Sequence, residues 1–179
     1  MKPIRASAAV LLASLVVFAA VPTLRADAKS APASRITAEY VNPEKFTDFR
    51  DGVFDTEKGR QQLMEQLNDH LADLGRRVIP EGQRLEIRFT NIDLAGDFEP
   101  WRGPQFDDIR ILKDIYSPRM ELEYRLVDAA SGAVIRQGTE KLSDMGYLMN
   151  LPMLPANDAL RHDKQMLSDW IRREFRAKK

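Results

Sequence analysis

The side chains best equipped for chemistry in this chain are five acids in one short stretch: Asp93, Asp97, Glu99, Asp107 and Asp108. Calcium accepts about six to eight oxygen ligands in flexible geometry, so a loop gathering these carboxylates would make a cation site. Two carboxylates held apart in a cleft could equally work as general acid and base on a hydrolysable substrate. Set against the regular calcium-loop spacing, Asn91, Asp93 and Gly96 fall on the first, third and sixth places. Ala95 at the fifth place and Arg102 at the twelfth break the pattern, and Ile92 and Leu94 suit a strand better than a loop. The plainer reading is a set of solvated loop acids, with Asp97 in the turn after Gly96.

Other reactive types are scarce. With no cysteine, the chain has no thiol nucleophile, no disulfide and no lipid-bearing cysteine. His70 and His162 lie on separate helical stretches without the paired spacing of a zinc site, so zinc would require both to meet carboxylates across two helices. No G-x-S-x-G stretch presents a serine nucleophile; Ser34, Ser117, Ser131, Ser143 and Ser168 fall in leader, turn or helix contexts. Two apolar runs offer a different chemistry, that of binding. Phe98, Trp101 and Phe106 alternate with Pro100 and Pro104, and a second run holds Met145, Tyr147, Leu148, Met149, Leu151, Met153 and Leu154. Both read as cover for a sheet, or as lips of a groove for a partner protein or small apolar ligand.

These loops need a scaffold, and the chain's periodicities supply one. MKPIR followed by an uncharged apolar run from Ala6 to Val21 has the form of a secretory signal, with cleavage expected after Ala28 and Ala20 or Ala26 as other cut points. A spanning helix needs about 20 apolar residues, and Pro22 and Arg25 interrupt this run, so no stable membrane insertion is expected after cleavage. Residues 29–35 read as a flexible leader and 36–179 as a single domain. Cleavage removes three basic and one acidic side chain, leaving 24 against 26 and a net charge of −2, which argues against a nucleic-acid partner.

Ile36, Ala38 and Tyr40 alternate as in an edge strand. Leu63, Leu67, Leu71 and Leu74 form a helical stripe over 56–74, capped by Asp55 or Thr56 and closed by Gly75. Leu85, Ile87 and Phe89 change parity to Ile92 and Leu94, which demands a bulge near Thr90 and Asn91. Residues 96–107 read as loop, with a strand hinted at Ile109 and Ile111. Met120, Leu122, Tyr124 and Leu126 mark the clearest strand, turned by residues 130–132 into a hairpin. A last helix runs from Asn157 or Asp158 to about Phe175, with Leu160, Leu167, Trp170, Ile171 and Phe175 on its apolar face. The expected fold is α+β, a mostly antiparallel sheet of four to five strands with two helices on one face.

In order, KFTDFR, IDLAGDFEPW, DIRILKDIYSPRMELEYRLVD, EKLSDMGYL and MLSDWIRREF resemble the domain-of-unknown-function family 3016 of Gram-negative bacteria, from about Tyr40 to Phe175. The resemblance implies an exported single-domain protein and carries over no site residues. The sequence therefore points to a monomeric, cofactor-free binding or accessory protein of the cell envelope. Phe98, Trp101, Phe106, Tyr147 and Met149 are its candidate contact residues. The alternative is a carboxylate hydrolase, cation-assisted, on Asp93 with Asp97, Asp107 or Asp108.

Overall fold

A computed structural model describes residues 34–150 and 154–176. The expected signal segment 1–28, most of the leader, and Leu151 and Met153 lie outside the described residues. Strand β1 (Ile36–Tyr40) leads to helix α1 (Glu57–Val78) and back to β2 (Gln83–Asp93). Because a helix carries the chain across, β1 and β2 run parallel, with Ile36 beside Leu85 and Tyr40 beside Phe89. β5 (Arg119–Asp128) and β6 (Val134–Ser143) complete the sheet as an antiparallel hairpin, giving the order β1-β2-β5-β6. A two-stranded ladder, β3 (Asp97–Phe98) with β4 (Arg110–Ile111), sits in the long connection, and helix α2 (Arg161–Phe175) ends the fold. The α+β class holds.

Alternation places Ile36, Leu85, Ile87, Phe89, Met120, Leu122, Tyr124, Leu126 and Leu142 on one sheet face. Against them pack Leu63, Leu67, Leu71 and Leu74 of α1 and Leu167, Trp170, Ile171 and Phe175 of α2. Each such side chain contributes about 1.5–3 kcal/mol when fully buried, so this layer carries the stability of a domain without disulfides. The opposite face is polar, with Arg88 between Glu39 and Glu123, and Lys141 on Glu121. The expected bulge lies between Phe89 and Asn91, and it keeps Ile92 inward after the parity change.

Three boundaries differ from the sequence reading. Gly75 does not close α1; the helix continues to Val78, and a Cβ on Gly75 would stand 2.9 Å from Cγ1 of Ile36 and 3.1 Å from its amide nitrogen. The glycine is there to let the helix press on the backbone of β1. Helix α2 starts at Arg161, not at Asn157 or Asp158; the Asp158 carboxylate instead accepts the Leu160 N–H in the preceding turn. Arg35, assigned to the leader, is already part of the fold, donating to the Ile79 carbonyl at 2.9 Å and accepting from the Leu85 amide.

Candidate functional site

The parallel β1–α1–β2 crossover and the β5–β6 hairpin bring the long loops 94–118 and 144–150 to one end of the sheet. The chain after β1 joins them. In KFTDFR, Phe46 and Phe49 enter the core, while Asp48 and Arg50 turn to the loop end. Asp48 is zipped onto the end of β2, its N–H donating to the Ile92 carbonyl and its carbonyl accepting from Leu94.

That zipper sets a charged knot. The Asp48 carboxylate accepts from Arg50 Nε at 3.0 Å and from Arg110 Nη1 at 2.6 Å. Arg50 also donates to Asp97 at 3.0 Å and to the Val53 carbonyl, while Arg110 donates to the carbonyls of Gly96 and Arg50. Both guanidinium groups lie over the Phe98 ring, at 5.5 and 4.6 Å from its centroid. Gly96 has φ of 80° and a virtual Cβ only 2.8 Å from the Ile111 carbonyl, so the backbone turn under the knot needs glycine.

A second polar chain ties the two loops together. The Glu99 carboxylate, buried beneath its own partners, accepts from Arg102, Lys113 and Tyr116 Oη, and the Lys113 ammonium first among them lowers its pKa to about 2. Tyr147 Oη donates to the Lys113 carbonyl at 2.7 Å, its ring stands edge-on to His162, and burial raises the phenol's pKa. Beneath both chains, Asp163 of α2 is fully buried. One of its carboxylate oxygens accepts the Ala95 N–H at 3.1 Å and the other has no partner. Burial pushes this carboxyl up to about 7.

The structure divides the sequence candidates. Phe98 and Tyr147 are buried roots, Phe106 is half-buried, and Trp101 and Met149 stand 72 % and 90 % exposed. Trp101 is thus neither a plug nor the wall of a described cavity. The same loops and the segment after β1 also expose Phe54, Ile109, Ile115, Met145 and Leu148. Of the acids, Asp93 and Asp97 line one cavity of about 180 Å³ with Asp48, Arg50, Tyr116 and Arg119, whereas Asp107 and Asp108 do not line it. Burial, and secondarily the Asp48 charge, raises the Asp93 pKa, with Arg119 4.0 Å away. Asp97 is committed to Arg50. Among the described residues, no three His, Asp or Glu side chains are placed to hold a metal ion.

His70 and His162 have separate partners. His70 Nε2 is 2.8 Å from Ser168 Oγ in the α1–α2 interface, where burial lowers its pKa, and no described carboxylate hydrogen-bonds its ring. Sequence reasoning missed Asp48, Arg50, Arg110 and Asp163. The first two sit in an irregular segment, and their distant partners, Arg110 for Asp48 and Asp97 for Arg50, lie 62 and 47 positions on, which no local spacing reports. Asp163, which shares a helix face with Leu160, Leu167 and Trp170, carried a readable signal: a charge inside the hydrophobic stripe of an amphipathic helix.

No helix among the described residues is long and apolar enough to cross a membrane. No curated protein shows significant similarity to the chain. A solved structure of a protein from Caulobacter crescentus CB15, provisionally assigned as a lipoprotein, is similar at 19 % identity with a TM-score of 0.29, covering 79 % of this chain and 84 % of that one. Residues 34–173 match the model of a family described as protein of unknown function, DUF3016. The ordered motifs from KFTDFR to MLSDWIRREF fall inside that match but for the final Glu174 and Phe175, and the chain belongs to the DUF3016 family.

Proposed function

We propose that this is an exported, non-catalytic binding protein of the bacterial envelope that recognises a partner protein through the loop end of its sheet. One observation carries the reading: Trp101, Ile115, Met145 and Met149 are exposed, each within two residues of a polar chain in which buried Glu99 and Tyr147 meet at half-buried Lys113. Anchoring the backbone of these side chains beforehand lowers the ordering cost of binding, and soluble proteins seldom expose large apolar patches without use. Methionine and tryptophan suit such contacts. The basic, apolar start of the sequence supports export, and the net charge of −2 expected after cleavage sets nucleic acid aside.

The test is a pull-down from periplasm with the purified mature protein against a Trp101→Ala/Met149→Ser variant. Retention that depends on those two positions supports the reading, and identical retention sinks it. A fluorescent apolar probe added to the free protein separates a small-ligand groove from a protein-docking surface. A carboxylate hydrolase on Asp93 and Asp97 remains the second reading, favoured by the raised Asp93 pKa in its small cavity. Melting with saturating calcium or magnesium tests its cation-assisted form, because a bound cation raises the melting temperature.

A further inference from the structure

Strand β6 forms one edge of the sheet, ten residues from Val134 to Ser143, exposed along most of its length. Few natural edges are left so long and open, since unpaired backbone groups recruit another strand. On β5 the Asp128 N–H donates toward β6, to Ala133. Alternation along β5 then turns Leu126, Tyr124 and Leu122 the same way, so their partners Arg136, Gly138 and Glu140 spend their backbone groups on β5. Gln137, Thr139 and Lys141 turn theirs outward.

We propose that β6 pairs antiparallel with β6 of a second copy of this chain, about a two-fold axis at Gly138, joining two four-stranded sheets into one of eight. The argument is the self-complementarity of RQGTE, Arg136 to Glu140, in that register. Gln137 faces Thr139, the residues with outward backbone groups, and each pair exchanges two hydrogen bonds. Arg136 faces Glu140, twice by symmetry; Glu140 forms no ion pair among the described residues, and Arg136 already holds Glu174 and lies over the Tyr124 and Phe175 rings. A bulge at Ile135 interrupts the alternation of β6, so the matched stretch runs from Arg136 to Glu140. Sliding the register by two residues sets Arg136 against Leu142 or against Gly138 and breaks the charge match. Gly138 suits the axis, where facing Cα atoms approach to about 4.5 Å. A Cβ there would also stand 3.0 Å from the Tyr124 ring. A dimer replaces the monomer expected from the sequence, and it leaves the loop end free, so this inference stands apart from the proposed function.

Light scattering on the eluting full-length mature protein over a dilution series reads the association directly. The expected result is a concentration-dependent dimer whose Gln137 and Thr139 amides become protected from hydrogen exchange on association. Thr139→Pro removes an outward N–H without touching the β5 ladder, and Glu140→Arg sets like charges across the axis. Each should weaken dimerisation at least about tenfold, while circular dichroism of the diluted protein stays that of the wild type. A monomer at every concentration overturns the proposal, as does a dimer that Glu140→Arg leaves unchanged.

Discussion

Replacing Asp163 by asparagine should change how stability depends on pH. The carboxyl is 0 % exposed and its pKa rises from 3.8 to about 7, chiefly through burial; the Ala95 N–H and Arg110 oppose the rise and Asp48 adds to it, and the buried phenol of Tyr147 faces the same group. A folded-state pKa above the unfolded one means that the folded protein keeps its proton longer. The stabilising effect is complete below the unfolded value and is lost as pH climbs through about 7. One unit corresponds to about 1.36 kcal/mol, so the gap bounds the loss at about 4 kcal/mol at alkaline pH. Asparagine retains the acceptor for Ala95 but places an amide N–H₂ where an oxygen had no partner, a pH-independent cost of about 1–3 kcal/mol. Urea unfolding of both proteins from about pH 4.5 to 8.5 separates the two contributions. The variant should be the weaker protein at acidic pH and gain steadily on the wild type through neutrality. A stability difference constant across that range would refute the reasoning.

Other outcomes follow from the same packing. Gly75→Val should cost about 1–3 kcal/mol by forcing α1 off β1, read as a lowered urea midpoint. Leu67→Ala, at a fully buried position, should cost about 2–5 kcal/mol, whereas Trp101→Ser should leave stability within about 0.5 kcal/mol. For Glu99 the sign is opposite to that of Asp163. Its pKa is depressed to about 2, so its contribution is present above the unfolded value and is lost as pH falls toward 2. Glu99→Gln should therefore flatten the acid limb of the unfolding curve.

What the sequence revealed was whatever repeats within a few residues. The stripe of Leu63, Leu67, Leu71 and Leu74 and the alternation of Met120 to Leu126 mark elements because burial on one face imposes a period, and the Phe89 to Ile92 step marked the bulge for the same reason. Gly75 misled because a glycine that ends a helix and one that lets it touch a strand are the same letter; only the distance to Ile36 separates them. The loop end was least legible. In GDFEPW, Phe98 is buried under Arg50 and Arg110 while Trp101 points to solvent, and no period distinguishes them. Asp48 and Arg110 meet from 62 positions apart, a pairing set by the Asp48–Asp93 bridge and by nothing local.

Site-specific photo-crosslinking in cells tests the proposed docking surface most directly, with a photoreactive amino acid placed in turn at Trp101, at Met149 and, as control, at Arg76, exposed in the last turn of α1. The expected result is a discrete cross-linked partner from both loop positions, absent from Arg76 and lost from the Met149 position when Trp101→Ser is added. Cross-linking no stronger at Trp101 and Met149 than at Arg76 would contradict it.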